Sequence, residues 1–418
     1  MILVLVPAAL FVLTGFQVPP GFNDDEAKVP AYTLPDPLVF QDGTRLKTAR
    51  QWPERRTQIL RLFESQVYGR SPRPLKEMSF ETFEQSTEAL GGLATRKQIA
   101  VYFDKQKTVR MDVLLYLPRN AKGKTPIFLG LNFNGNHTIH ADPAIRVTES
   151  WVRDNPKLGV VRNRASEQSR GSNASQWQLE KILQAGFGLA TFYYGDVDPD
   201  YDNYEDGVHK LYYKAGQTRP GADEWGAIAA WGWGASRVLD YLNTNHDVDS
   251  KRVALMGHSR LGKAALWAGA VDQRFAMVIA NESGEGGAAI ARRWYGETTK
   301  RLNTSFPHWF CLNFRQYNDN EAQMPVDQHM LIALLAPRPV YIASAEQDQW
   351  SDPKGEFLAG KEATPVYRML GVEGLASEDF PALHQPILSR ISYHIRAGKH
   401  DVTEYDWVQY LAFAKKFL

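Results

Sequence analysis

The sequence predicts an α/β domain in which a mostly parallel β-sheet is covered by helices on both faces. Two observations indicate this fold class. From residue 126 onward, short and continuously apolar runs alternate with helical segments, a pattern typical of buried parallel strands. In addition, the apolar run 253–256 leads through the motif Gly-His-Ser-Arg-Leu-Gly at 257–262 into a helix of small residues. A buried strand, a tight turn carrying a serine and a helix together form the context of a nucleophile elbow.

The elements expected along the chain agree with that fold class. Residues 22–75 are polar and Pro-rich, with one helical patch at 52–63, and we expect them to wrap the outside of the domain. Apolar periodicity predicts the other elements: antiparallel strands at 95–104 and 109–117, buried strands at 126–133, 187–194, 253–256, 275–280 and 340–343, a strand-like run at 391–395, and helices at 223–242 and 404–417. The segments 134–180 and 283–330 are too long for plain connections, so we expect loops and short helices on the active-site side. This order is typical of the α/β-hydrolase fold, a three-layer sandwich.

The composition argues against partners that bind by charge. With 48 basic and 47 acidic residues the net charge is +1, so nothing favours nucleic acid or an acidic membrane surface. Cys311 is the only cysteine, and stability must therefore come from packing rather than from an internal disulfide. The sequence contains no His-x-x-Glu-His motif, cysteine pair or Asp-rich calcium loop, so we expect neither a metal nor another cofactor. A monomer is the default expectation.

The N-terminus predicts export. Residues 1–16 are almost wholly apolar and precede Pro19-Pro20-Gly21, which is typical of a secretory signal peptide. The pattern departs from the usual one because no Lys or Arg follows Met1, and a buried N-terminal strand is the alternative. We therefore expect a signal peptide at 1–20, a single catalytic domain at 21–418, and a secreted or periplasmic protein.

Ser259 needs a base and an orienting acid to become a nucleophile. In the α/β-hydrolase fold these partners follow the serine in the order acid, then histidine. His400 lies in the loop between the run 391–395 and the last helix, where that base is expected. Two acids are candidates, because Glu282 and Asp348 each follow a predicted buried strand directly. The fold's usual arrangement favours the later one, Asp348, and a helix-capping or salt-bridge role is the alternative for either.

Arg260 follows the nucleophile at the first position of the helix. A cation at this position is disfavoured by the helix dipole, so a functional role would explain its presence. One such role is stabilisation of the oxyanion that forms during ester hydrolysis, because a guanidinium is always charged. Loss of one oxyanion donor costs about 3 kcal/mol. A surface salt bridge is the alternative.

These residues match a known family. The stretch 257–263 resembles the Gly-Cys-Ser-Arg-x-Gly-Lys signature of the glucuronoyl esterases, family fifteen of the carbohydrate esterases. The resemblance covers roughly residues 50–418 and extends to further short matches: Glu282-Ser283-Gly284, Gly286-Gly287, Trp294-Tyr295-Gly296-Glu297, Asp348-Gln349-Trp350 and Gly398-Lys399-His400. It implies a metal-independent serine esterase of α/β-hydrolase fold that cleaves the ester between 4-O-methyl-glucuronic acid of glucuronoxylan and alcohol groups of lignin.

The resemblance also implies roles for single residues. It makes Ser259 the nucleophile, His400 the base and Arg260 an oxyanion ligand. It favours Glu282 as the acid, with Asp348 as the position used in some bacterial members. The uronate-binding residues would be Lys263, Glu297 and Trp350. The chain departs from the signature at His258, where many members have Cys, and we expect this side chain to be packed away from the site because strand neighbours point to opposite faces.

Two other functions remain open from the sequence. A serine carbohydrate esterase of other specificity, such as an acetyl-xylan esterase, would use the same scaffold, and Arg260 with Lys263 favours the uronate ester over it. A catalytically inactive carbohydrate-binding protein is the third possibility, and the complete set of serine, histidine and acid argues against it.

Overall fold

The backbone forms a single nine-stranded sheet between two layers of helices. The computed structural model describes residues 22–418, so the predicted signal peptide lies outside the described residues. The strands are β1 (Ser79–Glu88), β2 (Ala94–Tyr102), β3 (Arg110–Pro118), β4 (Thr125–Asn132), β5 (Gly188–Tyr193), β6 (Val248–His258), β7 (Met277–Asn281), β8 (Val340–Ala345) and β9 (Ile391–Arg396).

The strand order confirms the α/β-hydrolase expectation. The sheet runs β1-β2-β3-β5-β4-β6-β7-β8-β9. β1, β2, β3 and β5 pair antiparallel, whereas every pairing from β5 through β4 to β9 is parallel. The predicted antiparallel pair is β2 and β3. β1 has no counterpart among the predicted strands, because this edge strand exposes most of its residues and carries few apolar ones.

Helices cover both faces, as predicted for a three-layer sandwich. They are α1 (Trp52–Gln66), α2 (Ala89–Gly92), α3 (Leu179–Gln184), α4 (Ala227–Leu242), α5 (Arg260–Val271), α6 (Thr299–Ser305), α7 (Gln328–Ala333), α8 (Pro353–Met369) and α9 (Glu404–Phe417). The larger core contains residues of α1, α4, α5, α7 and α8, and the smaller core on the opposite face contains residues of α3 and α9. α9 has the predicted bounds.

α4 begins four residues later than its sequence pattern predicts. The Gly226 amide donates to the Tyr68 carbonyl at 3.0 Å, which keeps the chain extended before the helix. A Cβ on Gly226 would lie 2.5 Å from the Trp309 carbonyl oxygen, so the close approach requires glycine.

The loops after the parallel strands gather at one edge of the sheet. Ser259, Glu282, Asp348 and His400 follow β6, β7, β8 and β9 in turn. The carboxyl ends of parallel strands share an edge, which is where ligands bind in open α/β sheets. Within residues 22–418, no helix combines the length and apolar character needed to cross a membrane.

Candidate active site

Ser259 occupies a strained turn between β6 and α5. Its φ of 56° and ψ of −131° lie outside the regions that side-chain-bearing residues normally adopt. A Cβ on Gly257 would lie 1.9 Å from the Leu261 carbonyl oxygen, and one on Gly262 would lie 2.9 Å from the Cβ of Ser283. Both glycines are therefore needed for the first helical turn to pack closely, including the second glycine that comes one position later than in the usual motif.

His400 is held by both candidate acids. Its Nδ1 forms a hydrogen bond of 2.7 Å with Oδ2 of Asp348 and lies 3.1 Å from Oε2 of Glu282. The Asp348 contact meets hydrogen-bond geometry, whereas the Glu282 contact is an ion-pair distance. Glu282 is fixed independently, because it accepts hydrogen bonds from Arg396 at 2.6 Å and from the Asp401 amide at 3.1 Å. The structure thus brings both sequence-predicted acids to the predicted base.

The electrostatics of this group differ between the two acids. Burial raises the pKa of Glu282 to about 8, although His400 and Arg396 lower it. Burial alone would also raise the pKa of Asp348, but the hydrogen bond and charge of His400 bring it below its usual value. Burial disfavours the imidazolium of His400, yet the two carboxylates outweigh that effect and raise its pKa to about 10. The pKa values of the two acids are therefore shifted in opposite directions, although both carboxyl groups face the same nitrogen of His400.

His258 lies against the base rather than away from it. Its ring centroid is 4.4 Å from that of His400, in contrast to the expectation that it packs away from the site. The Asn281 amide nitrogen donates to Tyr410 at 2.8 Å, so its oxygen faces His258 and the Nδ1 of His258 is the donor at 2.6 Å. Burial lowers the pKa of His258 to about 3. The strand rule failed here because His258 is the last residue of β6, next to the elbow.

Ser259 lies at the surface of the turn. Ser259 is partly exposed, and its Oγ forms no hydrogen bond with any residue in the range 22–418. The bond between serine and histidine is commonly long in unliganded hydrolases and tightens in the substrate complex.

Arg260 is positioned by a buried carboxylate that the sequence analysis missed. Its Nη1 contacts Oδ2 of Asp200, a residue with a fully buried side chain in the loop after β5. The same carboxylate accepts hydrogen bonds from Tyr194 at 3.0 Å, His308 at 2.9 Å and Trp309 at 2.8 Å. Burial would raise the pKa of Asp200, but His308, Arg260 and Trp309 lower it strongly. The only available signal was the position of Asp200 after a buried strand at the carboxyl edge of the sheet.

The guanidinium of Arg260 retains donor capacity. Its Nε is buried and has no hydrogen-bond partner in the described part of the chain. The rings of Trp309, Phe133 and Phe306 lie 5.1, 5.7 and 5.8 Å from its central carbon. These aromatic neighbours exclude water from one side of the cation, and this strengthens its interaction with an oxyanion.

Lys263, Glu297 and Trp350 form one connected group. The Lys263 ammonium donates to Glu297 Oε2 at 2.6 Å and to the carbonyls of Ser283 and Glu285 at 2.6 and 2.7 Å. Trp350 Nε1 donates to the other oxygen of Glu297 at 2.8 Å. Lys263 is 2% exposed and uses all its donors within the chain, so it fixes Glu297 rather than presenting a free ammonium.

Glu356 supports the loop that carries Glu282. It is completely buried, and its Oε1 accepts from the amides of Ser283 at 2.7 Å and Gly284 at 3.0 Å, while Oε2 accepts from Ser344 at 2.6 Å. No local sequence signal marks Glu356, because it lies about seventy positions from the loop that it holds.

One group of side chains has the spacing of a metal site. In the range 22–418, ligand atoms of His258, Glu282 and His400 lie within 4.8 Å of one another. Each residue already has protein partners, namely Asn281, Arg396 and Asp348. The hydrogen bonds therefore fit a base with its orienting groups better than a cation site.

Comparisons with known proteins agree with the geometry. Residues 174–371 match a family model described as glucuronyl esterase of fungi. The chain is 54% identical over 401 residues to carbohydrate esterase MZ0003 from an unknown prokaryotic organism, covering 96% of this chain and 93% of that protein. A promiscuous CE15 esterase from a marine bacterial metagenome superimposes with a TM-score of 0.90 at 53% identity, over 95% of this chain and 100% of that one. The glucuronoyl esterase from Solibacter usitatus gives a TM-score of 0.89 at 53% identity, over 93% and 99%.

Identity at this level extends over nearly the whole of both chains. The chain therefore belongs to the CE15 glucuronoyl esterases and is a carboxylic ester hydrolase of the α/β-hydrolase fold.

Proposed function

We propose that this protein is a secreted serine esterase that hydrolyses the ester between 4-O-methyl-glucuronic acid of glucuronoxylan and alcohol groups of lignin. The observation that carries the proposal is the convergence of Ser259, the doubly supported His400 and the carboxylate-bound Arg260 at one edge of the sheet. Fungal relatives named 4-O-methyl-glucuronoyl methylesterase, such as that of Schizophyllum commune at 26% identity, support the substrate class. The apolar residues 1–16 support export, and we propose a monomer.

Acylation uses the serine and histidine together. Nε2 of His400 removes the proton of Ser259 Oγ as that oxygen attacks the ester carbonyl carbon. The carbonyl π electrons move to oxygen, and Arg260 together with the amides at the start of α5 stabilises the resulting negative charge. When the tetrahedral intermediate collapses, the bond to the alcohol breaks and His400 returns the proton to the leaving oxygen, leaving an acyl-enzyme.

Deacylation repeats these steps with water. His400 takes a proton from a water molecule as it attacks the acyl carbon, and Arg260 again faces the oxyanion. The intermediate then releases Ser259, which regains its proton from His400, and the free uronic acid leaves. Asp348 and Glu282 stabilise the imidazolium that forms in both halves of the reaction.

Glu297 and Trp350 supply the uronate selectivity in this proposal. The carboxylate of Glu297 is held by Lys263 and Trp350, which leaves lone pairs to accept from ring hydroxyls. The indole of Trp350 is partly exposed and presents an apolar surface to a sugar ring. The acyl part of an acetyl ester contains no sugar ring, so Glu297 and Trp350 would not contribute to its binding in an acetyl-xylan esterase.

A comparison of two substrates tests the proposal. We expect the wild-type protein to hydrolyse the methyl ester of 4-O-methyl-glucuronic acid with a kcat/KM at least tenfold above that for acetylated xylose, because only the uronate engages Glu297 and Trp350. Ser259→Ala should lower kcat on the uronate ester by about 10⁴-fold or more.

Ser305→Ala is the matched control, since this serine ends α6 and is not among the residues of the catalytic group. Equal or better hydrolysis of the acetyl ester would favour the alternative carbohydrate esterase. Unchanged hydrolysis by Ser259→Ala would refute both esterase assignments.

A further inference from the structure

The first residues that the structure describes cross the loops that carry Glu297 and Trp350. Residues 22–28, which we call the N-terminal strap, include a short 3-10 helix and contribute no residue to either apolar core. Every residue of the strap is at least partly exposed. The contacts of the strap therefore add little to the stability of the cores, and their effect is local to the residues that they touch.

Two hydrogen bonds join the strap to the residues that precede Glu297. The amide of Gly296 donates to the carbonyl of Asn23 at 2.8 Å, and the hydroxyl of Tyr295 donates to the carbonyl of Asp24 at 3.0 Å. Both acceptors are backbone carbonyls, so these two bonds depend on the path of the strap rather than on its side chains. The path must then be fixed by a further contact.

Glu26 supplies that contact, because its carboxylate binds two different loops. It pairs with the guanidinium of Arg293 and accepts a hydrogen bond from Lys354 at 2.8 Å. Arg293 is 3% exposed and also donates to Asp352 at 2.8 Å. Burial would raise the pKa of Glu26, but Lys354 and Arg293 bring it below its ordinary value. The charged carboxylate thus links the loop 293–297 to the start of α8.

The two loops that Glu26 links hold the uronate-binding pair of the proposed function. The amide of Glu297 donates to the carbonyl of Trp350 at 2.9 Å, and Trp350 Nε1 donates to Glu297 Oε1 at 2.8 Å. The ring of Phe22 lies 5.5 Å from the ring of Trp350, so the strap also touches this indole directly. Binding groups are effective only when they are held within about 0.5 Å of the productive geometry. The strap braces both members of the pair.

We propose that Glu26 is a positioning residue for uronate binding, which it supports by holding the N-terminal strap against the loops of Glu297 and Trp350. Glu26 touches no substrate in this proposal and acts through those two residues. The inference rests on the proposed function, because it takes Glu297 and Trp350 as the groups that bind the uronate. The predicted signal peptide ends at residue 20, so its removal leaves the strap in the exported protein.

Glu26→Gln in the full chain tests the positioning role. The substitution removes the charge while keeping the shape of the side chain, and so weakens both ion pairs. We expect KM for the methyl ester of 4-O-methyl-glucuronic acid to rise about 3- to 10-fold with kcat largely retained. Hydrolysis of 4-nitrophenyl acetate, whose acyl part has no sugar ring, should match the wild type. The melting temperature should change by less than about 2 °C, because the strap lies outside the cores.

Asp25→Asn is the matched control, because it removes the same charge from the neighbouring position. The side chain of Asp25 contacts Ala27 and Lys28, which belong to the strap itself. We expect its KM on both esters to match the wild type. Glu26→Asp keeps the charge, and its KM on the uronate ester should lie closer to the wild-type value than that of Glu26→Gln.

A double variant asks whether Glu26 acts through the uronate-binding pair. Trp350→Ala alone should raise KM for the uronate ester. In the protein that carries both Trp350→Ala and Glu26→Gln, the rise in KM should be smaller than the product of the two single rises, because one residue that Glu26 positions is already gone.

Four results would overturn the inference about Glu26: an unchanged KM of Glu26→Gln on the uronate ester, an equal loss on 4-nitrophenyl acetate, the same loss for Asp25→Asn, or a rise in the double variant that equals the product of the single rises. Absence of wild-type activity on the uronate ester, with 4-nitrophenyl acetate still hydrolysed, would instead refute the proposed function. The two failures are therefore distinguishable.

Discussion

At the scale of single residues, buried carboxylates determine the geometry of the candidate site. Asp200 binds Arg260. Both Asp348 and Glu282 contact His400, and Glu297 accepts a hydrogen bond from Lys263. A buried carboxylate is stable only when donors and cations surround it, so each one also orders the groups that it binds.

Asp200→Asn should impair catalysis through Arg260. Removing the negative charge leaves the guanidinium without its fixed partner, so we expect kcat on a uronate methyl ester to fall about 10- to 10²-fold with little change in KM. Steady-state kinetics of Asp200→Asn, Arg260→Lys and the double variant will test this, because residues that act as one unit show non-additive losses.

Asp198→Asn is the control for that experiment. Asp198 is equally buried and two positions away, but its side chain contacts His209 rather than Arg260. A fall in kcat for Asp198→Asn as large as that for Asp200→Asn, or fully additive losses in the double variant, would contradict the positioning role.

Replacing Asp348 and replacing Glu282 should change the pH profile of kcat/KM to different extents. A base must be neutral to act, so kcat/KM rises as His400 loses its proton, and its raised pKa places this acid limb above the ordinary value of 6.5. Removing a carboxylate beside His400 favours its neutral imidazole. This lowers the pKa of His400 and moves the acid limb of the kcat/KM profile to lower pH. We expect Asp348→Asn to move it by about 1 pH unit or more and to lower kcat more than Glu282→Gln does.

Asp401→Asn serves as the matched variant for those profiles, because the side chain of Asp401 accepts from Gln176 and has no contact with Nδ1 of His400. The resemblance to the family favours Glu282, whereas the hydrogen-bond geometry favours Asp348. A larger shift and a larger loss with Glu282→Gln would restore Glu282 as the principal acid.

At the scale of elements, the turn between β6 and α5 depends on backbone approach rather than on side chains. Gly257→Ala places a methyl group 1.9 Å from the Leu261 carbonyl oxygen, which forces the first turn of α5 to move. We expect a loss of about 3 kcal/mol or more in the free energy of unfolding, together with a large loss of kcat because Ser259 and Arg260 shift. Denaturant unfolding and steady-state kinetics on the uronate methyl ester measure the two effects.

Gly221→Ala provides the comparison for Gly257→Ala. A Cβ at this position would lie no closer than 3.4 Å to its neighbours, and Gly221 is not among the glycines with positive φ. We expect its unfolding free energy and kcat to match the wild type. An unperturbed Gly257→Ala protein would show that the close packing at the elbow is not required.

At the scale of the whole molecule, the residues that stabilise the fold and the residues of the candidate site lie in different parts of the structure. Two apolar cores on opposite faces of the sheet stabilise the chain, and the single cysteine, Cys311, is buried and free. The groups proposed for catalysis follow the parallel strands at the carboxyl edge of the sheet, outside both cores.

Most of the architecture follows from local pattern. The alternation of apolar runs predicted β2 through β9 and the helix α9. The polar edge strand β1 and the helix α8 (Pro353–Met369) were not predicted, and the start of α4 was placed too early. β1 carries too few apolar residues to be recognised, and the start of α4 depends on a backbone contact to the distant Tyr68. The spacing of apolar residues, with a period of 2 in strands and 3.6 in helices, indicates which face of an element is buried. The elements predicted correctly are those with a buried face.

The sequence by itself predicted the α/β-hydrolase sheet, which the structure confirms, and it identified Ser259, His400 and two acids as the candidate catalytic residues, because strand–turn–helix order and chain order mark these positions locally. Only the tertiary structure decided that both acids contact the same nitrogen, that Asp200 binds Arg260, that Lys263 is saturated and that His258 lies against His400. These contacts join residues that are distant in the chain, 60 positions apart for Asp200 and Arg260 and 142 positions apart for His258 and His400. Such pairings depend on how the loops pack at the sheet edge, and no periodicity in the chain encodes that packing.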